Sequence, residues 1–231
     1  MDGKQTPPLD SSDFARQLRK IASDLWGKGG SIPEPTNAGQ EKSDTPRTTP
    51  GQGKAAVPKP KKPELTIHNL WKTADETIDW TDALAHTNAS DGLTSPVLWR
   101  FYHEKAEAVL AGNIKAYADV LSKANPLGEM TRFADQITMK PVSADRVEVR
   151  YQTRENLMAE KEIYTAAVCL RMARDLFACL PVNEVNITAL AGETPVMIVT
   201  YRRDQLYKRN FSFLDPIAFA KECGAQWPET D

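Results

Sequence analysis

Histidine and cysteine are scarce, three of each in 231 residues. His68, His86 and His103 do not stand at metal-ligand spacing with a Cys, Asp or Glu, and no second histidine follows four residues after His103-Glu104. Zinc and metalloprotease chemistry therefore lack their ligand pattern. Ser122 and Ser143 sit in no glycine-flanked nucleophile elbow, and no phosphate loop or dinucleotide fingerprint occurs. No cofactor is implied. Cys169, Cys179 and Cys223 give no disulfide framework: the first two lie about 15 Å apart along one helix, whereas a bridge needs Cα atoms within about 7 Å. They are expected to be buried thiols in a reducing compartment. Long apolar runs are lacking too. The N-terminus MDGKQTPPLDSSD has no apolar core of a leader, and no window approaches the length of a membrane span. These absences predict a cytoplasmic protein with no transmembrane segment.

Charge of one sign is also missing, with a formal net charge of −2, so no global field draws the chain to nucleic acid or membrane. The balance conceals an asymmetry. Residues 28–63 carry seven Lys/Arg against three Asp/Glu, which leaves the remainder acidic. The same stretch contains no aromatic, and Ile32 and Val57 are its only branched aliphatics. It cannot bury enough apolar surface to offset chain entropy. Seven of the sixteen prolines fall in residues 33–63, and PKPKKP favours extended polyproline II. Residues 1–12 and 27–63 are thus expected to be a disordered tail and linker. Lys59, Lys61 and Lys62 in the linker could touch acidic surfaces or nucleic acid, or be simply solvated.

Between them, residues 13–26 place Phe14, Leu18, Ile21 and Leu25 at spacings of 4, 3 and 4 on one helical stripe. Arg16, Arg19 and Lys20 flank it. So short a helix is marginal alone in water. It either docks on a partner or packs back on its own domain.

A packed domain is expected over residues 64–231. Trp71 and Trp80 read as packing anchors among short helices. VLWRFYHEKAEAVLAG then puts Leu98, Tyr102, Ala106, Val109 and Leu110 on one helical face, with Pro96 at its start and Gly112 at its left-handed cap. Asn113 opens a second helix that faces Ile114, Tyr117, Val120 and Leu121 inward, and NPLGEM breaks it. Periodicity then switches to two residues. QITMKPV and RVEVRYQ are strands joined at residues 143–145, with one wet face. A helix over residues 155–180 is apolar nearly all round apart from Arg171, Arg174 and Asp175, so it belongs in the core. EVNITAL and PVMIVTY form a second hairpin around Gly192. The latter is apolar on both faces, which predicts a central position. Phe211, Phe213 and Leu214 return to the core, and a last helix runs from the Asp215 cap and Pro216 to Gly224. The order helices, hairpin, core helix, hairpin, helix predicts an α+β fold of helices packed on an antiparallel or mixed sheet.

Three sets of side chains are candidates for function. Arg202, Arg203, Lys208 and Arg209, with Tyr201 and Tyr207 interleaved, could hold phosphates and stack bases, although Asp204 interrupts the run. Arg171 and Asp175, four apart, are expected to pair within the helix or, with Arg174, to anchor a loop. Asp145 and Glu148, with Glu129 upstream, weakly resemble the carboxylates of a metal-dependent nuclease, which must converge on one cation. Glu148 and Arg150 share one strand face, for which an exposed charge pair is the plainer account.

Several stretches resemble the C-terminal region of an uncharacterised bacterial protein family whose members often begin with a short glycine-rich β domain of unknown function. The resemblance rests on Ile78-Asp79-Trp80, on Ala108-Val109-Leu110-Ala111-Gly112-Asn113 leading to Ala116-Tyr117, and on Asn125-Pro126-Leu127-Gly128-Glu129. It continues through Val147-Glu148-Val149 and the run from Cys169 through Arg171, Arg174 and Asp175 to Pro181-Val182. Asn210-Phe211 and Leu214-Asp215-Pro216 complete it. Relative to that family the glycine-rich domain is replaced by residues 1–63, and a long basic insertion is shortened to residues 153–160. The resemblance implies common descent and carries over no catalytic residue. The sequence as a whole reads as a non-enzymatic protein-interaction module with a tethered docking helix. The alternatives are a nucleic-acid-associated protein using residues 202–209 and a metal-dependent nuclease.

Overall fold

A computed structural model of the chain describes residues 64–89 and 94–228; the expected tail, amphipathic helix (Phe14, Leu18, Ile21, Leu25) and linker lie outside the described residues. The helices begin where side chains can satisfy their first free N–H groups. Asp79 accepts from Thr81 and Asp82 to start α1 (Trp80–Ala85). Ser95 accepts from Leu98, ahead of Pro96, at the start of α2 (Pro96–Leu110). Asn113 does the same for α3 (Ile114–Ala124). Asn125, left-handed at φ 46°, stops α3 ahead of Pro126, whose ring disfavours a further helical residue before it.

Strands β1 (Ala134–Pro141) and β2 (Arg146–Thr153) then form an antiparallel hairpin. A 3-10 segment, Glu155–Glu160, leads into α4 (Lys161–Cys179). The helix expected from residue 155 therefore starts later, at Lys161, after two 3-10 turns that bury none of their residues. A second hairpin, β3 (Glu184–Ala191) and β4 (Thr194–Arg202), follows, then α5 (Arg203–Leu206) and α6 (Pro216–Glu222). The sheet has the order β1-β2-β3-β4, with β2 and β3 parallel. Parallel neighbours need a crossover connection, and α4 supplies it. The fold is α+β with a mixed sheet.

Alternation of side chains along each strand separates two faces. Val147, Val149, Tyr151, Val185, Ile187, Ala189, Met197, Val199 and Tyr201 face the helices and are essentially inaccessible. Their alternating neighbours Arg150, Gln152, Asn186, Thr188 and Thr200 remain half-buried or exposed. One sheet face is covered and the other is open. In α4, residues 164–173 are all buried, as its nearly continuous apolar circumference demands.

Three expectations need correction. The strand β4 lies at the sheet edge, not its centre. Its apolar outer positions are accounted for by the returning C-terminal segment, where Gln226 exchanges both backbone hydrogen bonds with Ile198 at 2.9 Å. Leu110 and Ile114 are exposed, because they flank the tight α2–α3 corner; Trp99 fills the inward role instead. Phe213 is 89% exposed and does not return to the core; Leu214 and Phe211 pack against it.

That corner depends on Gly112, at φ +72°. A Cβ there would stand 2.6 Å from the Cβ of Ala144 in the β1–β2 turn. Gly112→Ala combines a left-handed backbone, at about 1–2 kcal/mol, with that clash. It is expected to lower unfolding free energy by at least this amount, measured by urea titration.

Candidate functional site

The segment leading into the domain has no regular structure beyond the 3-10 turn Leu70–Lys72 and α1. It is held to α4 by charge. Arg171, 3% exposed in its side chain, bonds Asp175 at 2.6 Å from Nε. Its terminal nitrogens reach the Thr73 hydroxyl at 2.6 Å, the Leu70 carbonyl at 3.5 Å and Glu129 at 3.3 Å. Asp75 stands at 3.5 Å on the solvent side. Asp175, fully buried, also accepts the backbone N–H of Asp75 at 2.8 Å. One turn on, Arg174 donates to the carbonyls of Trp71 and Thr73 and lies 3.7 Å over the Phe211 ring. Trp71 and Trp80, both anchors as expected, donate their indole N–H groups to Leu214 and Cys179 carbonyls. Both expected roles of the arginines hold together: Arg171 pairs within the helix, and both fasten a loop. Nearly every polar group of this cluster is spent internally, which describes a latch and leaves no substrate site.

The basic run sits elsewhere, at the end of β4. Arg203 turns inward and donates to the carbonyls of Val182, Phe177 and Leu180, which cap the C-terminus of α4 as cations do. It also meets the Tyr207 hydroxyl at 3.1 Å. Arg202 is shared between Glu184 and Asp204, Lys208 stands 3.9 Å from Asp204, and Arg209 pairs with Glu222. The cations that would meet phosphate are thus each opposed by a carboxylate or drawn inward. Aromatics remain outside. Tyr207 is 58% exposed. Phe213 lies in a shallow groove of about 340 Å³ formed with Lys208, Arg209, Leu214 and Phe219. A larger but more open hollow of about 550 Å³ lies around Arg154, whose guanidinium already bonds Thr131 and Asp135.

The three carboxylates considered for nuclease chemistry are dispersed. Glu129 faces Arg171, Asp145 accepts from the Asn183 side chain at 2.9 Å, and Glu148 lies on the open sheet face. Among the described residues, no three His, Cys, Asp or Glu side chains form a group that could hold a metal. His103 bonds the Ala83 carbonyl, and His86 bonds Asp82. Burial pushes the Cys169 and Cys179 thiols up to about 12, so neither is a ready nucleophile. No described helix is long and apolar enough to cross a membrane.

Phe213 is the functional candidate that sequence reasoning misplaced. Its place between Phe211 and Leu214 suggested burial, yet it sits in a turn in which Asn210 accepts the N–H of Ser212 on its side chain and that of Phe213 on its carbonyl, and it is exposed.

Arg171→Met would leave Asp175 without its cation and free the residues 70–75 contacts. It is expected to cost about 3–5 kcal/mol, the range for breaking a buried pair, in urea unfolding. Burial pushes the Asp175 carboxyl up to about 7, against the pull of Arg171. Below about pH 7 the folded domain therefore holds a proton that the unfolded chain, near 3.8, releases, and above it the carboxylate faces Arg171 as a charge. Stability from this group is present below about pH 4 and lost as pH rises through about 7. Asp175→Asn keeps the shape without titrating. The stability of the wild type relative to this variant is expected to decline between about pH 4 and pH 7 and to level off above it.

The chain matches no protein-family model, no curated protein and no solved structure, so its description rests on its own geometry.

Proposed function

We propose that the domain is a non-enzymatic protein-interaction module whose contact surface centres on the segment 207–214. The observation that carries this reading is Phe213, a large aromatic ring 89% exposed beside a groove, on a segment whose cations are matched by carboxylates. Aromatic side chains with arginine are enriched at the energetic centres of protein interfaces. A nucleic-acid surface would instead present unopposed cations to phosphate. That difference favours a protein partner over the nucleic-acid alternative built on Arg202, Arg203, Tyr207, Lys208 and Arg209.

The reading includes a cytoplasmic setting, in which Cys169 and Cys179 stay as buried thiols, and a tethered second contact through Phe14, Leu18, Ile21 and Leu25. A helix on a linker would raise the local concentration of that contact. Kinship with the uncharacterised bacterial family belongs to the same proposal, and it supplies no activity.

Affinity capture of the full chain from its own cells, with and without nuclease, tests the proposal against Phe213→Ala. Because the ring is exposed, the substitution is expected to change stability by no more than about 0.5 kcal/mol. Capture of a nuclease-resistant protein partner is expected to fall about tenfold or more, as for the loss of an interface anchor. Undiminished capture by the variant, or capture abolished by nuclease, would overturn the reading.

A further inference from the structure

The open face of the sheet forms a second surface, independent of the Phe213 groove. Strand register arranges it in rows. Arg146, Glu184 and Arg202 make the first. Lys140, Glu148, Asn186 and Thr200 make the second, and Thr138, Arg150, Thr188 and Ile198 the third. Gln152, Leu190 and Pro195 lie at the far end. Arg202 is paired with Glu184. Lys140, Arg146 and Arg150 are all exposed, and none of them makes an ion pair among the described residues. Three cations without an ion pair thus surround Glu148, while Glu184, the other carboxylate of these rows, is taken by Arg202, on a chain whose net charge is −2.

Neither edge of the sheet invites an added strand. At β1, Pro141 has no N–H to give, Lys140 is charged, and a bulge between Asp135 and Thr138 holds Gln136 at φ 49°; each is a known guard against edge pairing. At β4, Gln226 already occupies the position beside Ile198. A partner must therefore lie across the face.

We infer that the open face docks an acidic polypeptide segment of a partner protein. Its carboxylates would meet Lys140, Arg146 and Arg150, and an apolar side chain would rest on Leu190 and Ile198. Ile198 stands in the same row as Arg150, two strands across, and Leu190 lies one row further, about 7 Å along the strands at about 3.4 Å per residue. Between these ends Thr188 offers its hydroxyl, while Asn186 bonds Thr200 at 2.8 Å and Gln152 donates to the Gly192 carbonyl at 2.8 Å, which keeps the face polar and its side chains ordered. A nucleic-acid strand fits less well on two counts. Glu148 stands at the centre of the cations, where a continuous phosphate backbone would be repelled. Tyr151 and Tyr201, the tyrosines of β2 and β4, point to the covered side, so the face offers no ring on which a base could stack.

The test uses the full chain and fluorescence anisotropy with labelled poly-L-glutamate, alongside a labelled DNA duplex and poly-L-lysine. Poly-L-glutamate is expected to bind, with affinity falling as salt rises. The double variant Arg146→Glu/Arg150→Glu is expected to weaken it about tenfold or more. Arg146→Gln/Arg150→Gln, which keeps the polar sheet face, should fall between. Phe213→Ala and the linker variant Lys59→Glu/Lys61→Glu/Lys62→Glu should bind as the wild type does. Loss of binding in the linker variant but not the sheet variants would assign anion capture to the linker and overturn the inference. Duplex DNA binding more tightly than poly-L-glutamate, with the same dependence on Arg146 and Arg150, would replace the acidic peptide with nucleic acid. A failure here leaves the Phe213 groove untouched, because that surface is read by a different substitution.

Discussion

The pairing of Arg171 with Asp175 is the constraint from which the rest of the domain follows. A helix buried on nearly all sides cannot carry two opposite charges unless they satisfy each other and their remaining hydrogen bonds are met. In α4 the remaining partners come from outside the helix: the Leu70 carbonyl, the Thr73 hydroxyl and the N–H of Asp75. The charges thereby fix where the segment before α1 must run. Trp71 and Trp80 then fall against α4 and the loop near Leu214, with their indole nitrogens bonded. Removing the charges in favour of apolar residues could leave a stable core, but it would no longer dictate the path of residues 70–75.

Much of this fold was legible in the sequence because its signals are local. Asp79, Ser95, Asn113 and Asp215 each lie at a boundary where their side-chain oxygens accept from the following turn. The change from helical to alternating periodicity marks β1, and the apolar circumference of residues 163–180 marks the buried crossover. What sequence could not supply was anything set by a distant segment. The strand β4 looks central because its outer positions are apolar, and only the return of Gln226 explains them. Leu110 fits a helical stripe as well as Trp99 does, yet it stands at the last turn of α2, beside the Gly112 corner, and is exposed.

The same reasoning explains why the candidate surfaces were harder to find than the core. Arg203 belongs to a basic run by composition, yet the free carbonyls at the end of α4 draw it inward. Phe213 belongs to an apolar cluster by composition, yet the turn fastened by Asn210 leaves it outside. In both cases the side chain's chemistry was read correctly and its direction was not. The polar sheet face shows the converse. Alternation in RVEVRYQ announces a wet side, but only the assembled register reveals that Arg146, Arg150 and Lys140 share it while helices occupy the other.

The mixed sheet also shapes how such a domain can assemble. Each hairpin joins residues that are close along the chain, whereas β2 and β3 meet only after the whole of α4 has been placed. Closing that longer loop costs more chain entropy than closing either hairpin, before its contacts are gained. The two hairpins are thus local units, and the seam between them is the late, cooperative event, made possible by a helix that must be buried before the sheet becomes continuous.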